Sequence, residues 1–158
     1  MLNVKIITVG KLKEKYWRDA CAEYLKRLTR YGQVELIEVP DAPEPAHASP
    51  GADAQVLRIE GERLLAKIRP DDYVIALAID GKSYTSVGFA EHVEKVMLKG
   101  RMVFVIGGSL GLSPEVYARA NERISFSALT FPHQMMRVIF LEQLYRACRI
   151  QAKEPYHK

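Results

Sequence analysis

Residues 103–112, Val-Phe-Val-Ile-Gly-Gly-Ser-Leu-Gly-Leu, restrict the possible folds more than any other stretch of this chain. An unbroken run of β-branched and aromatic residues reads as a strand buried on both faces, the pattern of a parallel sheet covered by helices. Glycines at its carboxyl end remove side chains where the backbone turns sharply or approaches another group closely. Ser113-Pro114-Glu115 then supplies a capping residue, a proline at the first helical position and an acid in the first turn. The unit is strand, glycine turn, helix. In open α/β sheets ligands bind at the carboxyl ends of strands. Gly107, Gly108 and Gly111 are therefore candidate binding positions, although such a turn can also be a plain tight connection. The motif is Gly-Gly-x-x-Gly rather than G-x-G-x-x-G, and no Gly-Lys-Ser or Gly-Lys-Thr follows it. It is neither a P-loop nor a dinucleotide fingerprint, and no acidic residue closes a second strand about 20 residues on.

The rest of the chain repeats this alternation. Asn3–Val9 reads as a strand ending at Gly10, and about Glu14–Tyr31 as a helix burying Trp17, Ala20, Cys21, Tyr24, Leu25 and Leu28. Val34–Val39 is a second strand. Pro40–Asp53 carries four prolines and no periodicity, a loop that is disordered or orders as a flap on binding, with His47 exposed on it. A helix over Ala54–Ile68 is weakened, or packed closely against a neighbour, at Gly61. Tyr73–Ile79 is a third apolar strand, ended by a turn at Asp80-Gly81-Lys82. Helices over Ser86–Leu98, Ser113–Asn121 and Gln134–Ala152, and a short strand over Ile124–Ser127, complete the pattern. Val138–Leu141 is apolar on all sides, which places the last helix between the sheet and a second covering surface such as another subunit. Alternating strands and helices without an internal repeat give one α/β domain over 1–158, a Rossmann-like, mostly parallel sheet flanked by helices.

Three turns share one property. Leu77–Gly81, Ile106–Gly111 and Ser127–Pro132 each follow an apolar strand. If those strands are neighbours, the turns line one pocket. Its backbone edges can hydrogen-bond a flat heterocycle between the apolar walls of Leu77, Leu129 and Phe131. No nucleophile or metal cluster is apparent there. The 158 residues suit a single core, and no apolar run reaches membrane-spanning length. The first residues are strand-like rather than a signal peptide, so cytoplasmic residence is expected. Cys21 and Cys148 lack C-x-x-C spacing and read as buried thiols. The net charge of +4 is mild, but Lys11, Lys13, Lys15 and Arg18 follow the first strand and Arg30 ends the first helix. They form either a solvated helix face or a phosphate-contacting surface.

Four segments together resemble one family. Ile-Gly-Gly-Ser-Leu-Gly-Leu at 106–112, Phe-Ser-Ala-Leu-Thr-Phe-Pro-His at 126–133, Glu-Gln-Leu-Tyr-Arg-Ala at 142–147 and the terminal Pro-Tyr-His-Lys are similar to bacterial large-subunit ribosomal RNA pseudouridine methyltransferases of the SPOUT, or α/β-knot, class. The resemblance covers the whole chain. It implies a C-terminal trefoil knot, a homodimer with the last helix at its interface, and S-adenosylmethionine as methyl donor. It also implies 23S ribosomal RNA as partner, with ring nitrogen 3 of a pseudouridine as acceptor on the assembled ribosome, and no metal. Carried over by position, the donor pocket comprises Leu77, Gly107, Gly108, Ser127, Ala128, Leu129, Thr130, Phe131 and Pro132. A branched side chain at Gly108 is expected to fill the adenosyl space without unfolding the sheet. Acceptor-side candidates are His133, Arg137, Arg146, Tyr156 and His157, the last two on a tail that closes over the partner subunit's donor. His133 could equally cap the last helix, and Arg146 could pair with Glu142 four residues earlier. RNA contact falls to Lys11, Lys13, Lys15, Arg18 and Arg30. Two other classes fit the same features less fully: a nucleotide-binding hydrolase or oxidoreductase using the glycine turns, and a non-catalytic ribosome-binding factor.

Overall fold

The hydrophobic runs become five strands, β1 (Leu2–Val9), β2 (Gly32–Val39), β3 (Tyr73–Ser83), β4 (Met102–Ile106) and β5 (Glu122–Ser125), in the computed structural model. The structure describes residues 1–43, 46, 47 and 49–158. The strands form one sheet in the order β2-β1-β4-β3-β5, and every neighbouring pair is parallel. Among the described residues, four helices connect the strands, α1 (Lys15–Leu28), α2 (Pro50–Leu65), α3 (Ser86–Val96, followed by a 3₁₀ turn at Met97–Lys99) and α4 (Pro114–Arg119), and a fifth, α5 (His133–Gln151), follows β5.

Side-chain alternation along each strand sorts the core into two layers. Val4, Ile6, Ile75, Met102 and Phe104 face α1, α3 and α5, while Ile7, Val9, Val74, Val103 and Val105 face α2 and α4. All five β4 residues are buried, because this central strand has covered neighbours on both edges and both faces. α5 lies between α1 and α3 and inserts Phe140, Leu141 and Leu144, all fully buried. Phe140 packs against Phe104 with ring centroids 4.5 Å apart and stacks on Phe126 at 5.8 Å. Val138, which packs against this core, and Ile139 are only partly buried.

The element boundaries differ from the sequence expectations at places with a local cause. α2 starts at Pro50, four residues before the expected Ala54, because Ser49 caps it by accepting from the Ala52 N–H at 3.1 Å and Pro50 takes the first turn. The long-loop expectation for Pro40–Asp53 falls partly on residues 44, 45 and 48, which lie outside the described residues. At the start of that segment, Arg63 donates to the Pro40 and Asp41 carbonyls, and the Ala42 N–H donates to Glu60. The turn expected at Asp80-Gly81-Lys82 is instead a bulge inside β3. Leu77 and Lys82 both register with Ile124, so residues 78–81 project from the ladder. Gly81 is required there, since a Cβ would stand 2.6 Å from the Ile124 backbone. Gly61 marks close packing rather than weakness: its missing Cβ would lie 2.4 Å from the Ser113 hydroxyl at the start of α4.

A strand-end cleft and its neighbours

The order of the sheet places β4 and β3 side by side with β5 next to β3, so the three turns singled out in the sequence converge. They line one cleft of about 820 Å³, within the range of small-molecule sites. Of the nine expected donor-side residues, all but Ala128 line it. The β3 bulge contributes Ala78, Ile79 and Asp80, which the sequence reading left outside its donor set. The glycine turn after β4 is closed by the Gly111 N–H donating to the Gly108 carbonyl at 3.1 Å. A Cβ on Gly107 would meet the Gly111 carbonyl oxygen at 2.4 Å, so this turn accepts only glycine at its first position. Gly108 behaves differently from the expectation. Its Cβ would point away from the cleft, towards Val9 Cγ1 at 3.2 Å and Glu60 Oε1 at 3.4 Å. A valine there wedges β4 against β1 and α2 instead of filling the cleft.

The third wall is the segment between β5 and α5. Ser125 Oγ donates to the Ser127 carbonyl at 3.0 Å, and Ser127 Oγ accepts from the Leu129 N–H at 2.9 Å. These two bonds fix the turn; the second spends the Leu129 N–H, and neither uses the backbone of residues 130 and 131. Leu129 is 71% exposed at the rim. An exposed leucine beside a cleft presents apolar area that a flat ring can cover.

His133 is the first residue of α5 and lines the β1 end of the cleft. It is not the helix cap; Pro132 holds that position and makes no side-chain cap bond. Burial, then the Arg137 guanidinium, hold its imidazole below the usual histidine range, against a smaller opposing pull from Asp41. Arg137 corrects the sequence reading most clearly. Expected to face the acceptor, it is 1% exposed. Its Nη2 donates to the Val9 carbonyl at 2.6 Å and its Nη1 to Glu38 Oε2 at 2.7 Å. Glu38 also accepts from the Leu12 N–H at 2.9 Å. The group ties the carboxyl ends of β1 and β2 to α5, a structural role. An arginine in the apolar stretch Met135–Phe140 is the sequence signal of a buried partner, but Glu38 is 99 residues away and could not be named.

Arg146, Tyr156 and His157 form a separate cluster. Arg146 pairs with Glu142 at 2.7 Å, as the i, i+4 spacing allowed, and approaches His157 Nδ1 at 3.1 Å. Tyr156 donates to Glu142 Oε1 at 3.1 Å and packs edge-on against Tyr145. Burial and the Glu142 hydrogen bond push the Tyr156 phenol up to about 12. The tail thus folds back on its own helix, and none of these three residues lines the cleft. Thirteen residues of helix separate Arg146 from His133, ~20 Å of rise.

The basic residues are likewise split. Lys11, Lys13, Lys15 and Arg18 follow the carboxyl end of β1, and all are exposed, but none of them lines the cleft. Arg18 donates to the Leu12 and Lys13 carbonyls, and Lys15 pairs with Asp19. Lys11 and Lys13 have no ion pair among the described residues. Arg30 lies at the other end of α1, paired with Glu154 at 3.2 Å, and does not join them. Cys21 and Cys148 are free and buried. Among the described residues, no group of three or more His, Cys, Asp or Glu side chains could hold a metal ion, and no helix is long and apolar enough to cross a membrane.

Comparison with known proteins agrees with this geometry. The chain is 54% identical over 159 residues to "Ribosomal RNA large subunit methyltransferase H" of Streptococcus thermophilus (strain CNRZ 1066), covering 99% of this chain and 100% of that protein. It is 55% identical, with the same coverage, to the protein of that name from Listeria monocytogenes serovar 1/2a (strain ATCC BAA-679 / EGD-e). Its fold is similar to a probable methylase family protein from Haemophilus influenzae Rd KW20, with a TM-score of 0.56 at 18% identity over 99% of this chain and 71% of that one. A family model described as "Predicted SPOUT methyltransferase" matches residues 2–157. With nearly its whole length matched by that model, and its strand ends gathered into one cleft, the chain belongs to the SPOUT methyltransferase family.

Proposed function

We propose that this protein transfers a methyl group from S-adenosylmethionine to ring nitrogen 3 of a pseudouridine in 23S ribosomal RNA, acting in the cytoplasm on the assembled large subunit. The observation that carries the reading is the convergence of the three strand-end turns on one cleft. It suits a nucleoside: backbone edges at Gly107–Gly108 and at residues 129–131 for the polar rim of adenine, and Leu77, Leu129 and Phe131 for its faces. The sulfonium donor, when bound, supplies an electrophilic methyl carbon and a good leaving group. The chain's own residues orient donor and acceptor, the contribution expected to dominate such an in-line displacement. The acceptor nitrogen must lose its proton before or as it attacks. The names of the relatives support ribosomal RNA as substrate, and the exposed Lys11 and Lys13 after β1 offer charge for its phosphates.

The separation of Arg146, Tyr156 and His157 from the cleft along α5 supports a homodimer. A single chain cannot bring them to its own donor, whereas a second copy packed along α5 can bring its tail to the first. The trefoil knot that the family resemblance implies belongs to the same proposal. Mass spectrometry of 23S RNA after incubation of ribosomes with protein and donor tests the reading: one new methyl on one pseudouridine is expected. Transfer to no RNA base overturns it. Mixing tail variant Tyr156→Phe/His157→Ala with cleft variant Gly107→Val tests the dimer. Mixed dimers should regain activity that neither variant has alone, and no regain overturns the shared site.

A further inference from the structure

The turn of α5 that closes the cleft holds two unpaired buried atoms whose chemistry is complementary. His133 Nδ1 and Arg137 Nε are both buried without a hydrogen-bond partner. They lie four residues apart on one helix, so they share a face. Both side chains also converge beside Gly10: a Cβ there would stand 4.0 Å from Arg137 Nη2 and 4.0 Å from His133 Cε1. Arg137 Nε carries a hydrogen and no lone pair. A neutral imidazole carries a hydrogen on one ring nitrogen and a lone pair on the other. Placing the hydrogen on Nδ1 would bury an unpartnered donor near a full positive charge. Placing it on Nε2 leaves a lone pair, which a nearby positive charge favours, on the buried nitrogen, and puts the N–H on the nitrogen that is not among the buried unpartnered atoms.

From this geometry we infer that His133 is held as the neutral Nε2–H tautomer by Arg137, and that it presents that N–H to the acceptor base as a hydrogen-bond donor, not as the general base. The inference rests on the methyl-transfer reading given above. His133 lines the cleft and packs near Gly10, the residue that Lys11 follows in the chain, and in this reading RNA enters from that side. When ring nitrogen 3 of the acceptor gives its proton to solvent, its negative charge spreads onto the two flanking carbonyl oxygens. The nitrogen pair then forms the N–C bond to the methyl carbon, and the C–S bond pair leaves with the sulfur. A donor fixed at one of those oxygens stabilises the charge where it develops. The charged groups around the ring are Arg137 on its own helix, Asp41 after β2, and Glu38 acting through Arg137. The lone net influence favouring protonation, Asp41, is outweighed by burial and Arg137.

The test joins nitrogen-15 NMR of the histidine rings, with the His133 signals assigned by their loss in His133→Gln, to single-turnover methylation by wild type, His133→Gln and His133→Ala. Calorimetry with S-adenosylmethionine controls for folding and donor binding. The expected results are Nε2–H shifts for His133 and a transfer rate about 10²-fold lower in His133→Ala, with donor affinity within about twofold. Glutamine, whose amide nitrogen reaches near the Nε2 position, should recover most of the rate and keep the acid limb of the pH–rate profile. An Nδ1–H ring, a His133→Ala rate equal to wild type, or a His133→Gln rate as low as alanine's with the acid limb gone would overturn the inference. Wild-type protein that methylates no RNA overturns instead the reading on which it rests.

Discussion

Replacing Arg137 with methionine should unfold the β1 end of the cleft, not merely slow catalysis. The side chain is 1% exposed and makes two short hydrogen bonds, to the Val9 carbonyl and to Glu38. Removing one partner of a buried ion pair costs about 3–5 kcal/mol, because the other charge stays behind without compensation. Here the cost falls at the lower end. The Glu38 side chain is 32% exposed and keeps the Leu12 N–H, so water can take the place of the guanidinium. Methionine refills most of the aliphatic volume. A loss of about 3 kcal/mol follows, and for a chain of this length each kcal/mol moves the midpoint by about 3 °C. Arg137→Met should therefore melt about 9 °C below wild type by circular dichroism. Lys15→Met, which breaks an ion pair with both partners largely exposed, should not move the midpoint measurably. Adding Glu38→Leu to Arg137→Met should recover part of the loss, since no charge is then left unpaired. An Arg137→Met protein that melts within about 3 °C of wild type yet transfers no methyl would refute the structural role and return Arg137 to the acceptor.

Further expectations concern the cleft, the opposite edge and the surface. Gly108→Val should lower the melting midpoint by overpacking against Val9 and Glu60, about 1–3 kcal/mol, whereas Leu129→Ala should leave the midpoint unchanged and weaken donor binding severalfold in calorimetry. Asp72 is buried against a bidentate Arg101 and the Arg69 N–H; burial pulls its carboxyl upward, but those hydrogen bonds win and hold it below the usual range. Its stabilising effect is present above the unfolded carboxyl value of about 4 and is lost as pH falls through the folded value. Asp72→Asn should thus cost about 1.5–3 kcal/mol at neutral pH, and the gap to wild type should narrow in acid during urea titrations. Burial pushes the Cys21 thiol up to about 11 and the Cys148 thiol up to about 12, so an aromatic disulfide reagent should label neither at neutral pH until the protein unfolds. Lys11→Met with Lys13→Met should reduce the salt slope of RNA binding by about 1.5–2, and an unchanged slope would count against the basic loop.

What the sequence disclosed and what it withheld divide along physical lines. The parallel sheet was legible because short runs rich in β-branched residues, each ended by glycine, proline or a polar turn, alternate with helical periodicity, and length and flanking turn residues decide strand over helix. The cleft was legible because ligands in such sheets sit at strand ends, and Ile106–Gly111 and Ser127–Pro132 are both strand ends. The β3 bulge was not. Asp80-Gly81 has turn chemistry, and only the partner strand tells the chain to resume pairing at Lys82. The direction of a glycine's absent side chain was equally out of reach. Gly107, Gly108 and Gly111 look alike in sequence, yet one faces its own turn, one faces Val9 and Glu60, and one faces open space with φ +83°. Arg137 and Arg30 illustrate the same limit for charges. A cation in a sequence is equally a surface contact or a buried strut until Glu38 or Glu154 arrives from elsewhere in the chain.

The most direct measurement is a crystal structure of this protein with S-adenosylhomocysteine, the demethylated product of the donor. The account predicts the adenine between Leu77 and Leu129, its edge on the backbone of residues 129–131, with Gly107 and Gly108 beneath the nucleoside and His133 beyond the sulfur on the β1 side. Density for the nucleoside anywhere else on the chain, or no binding by protein that still methylates 23S RNA, would contradict it.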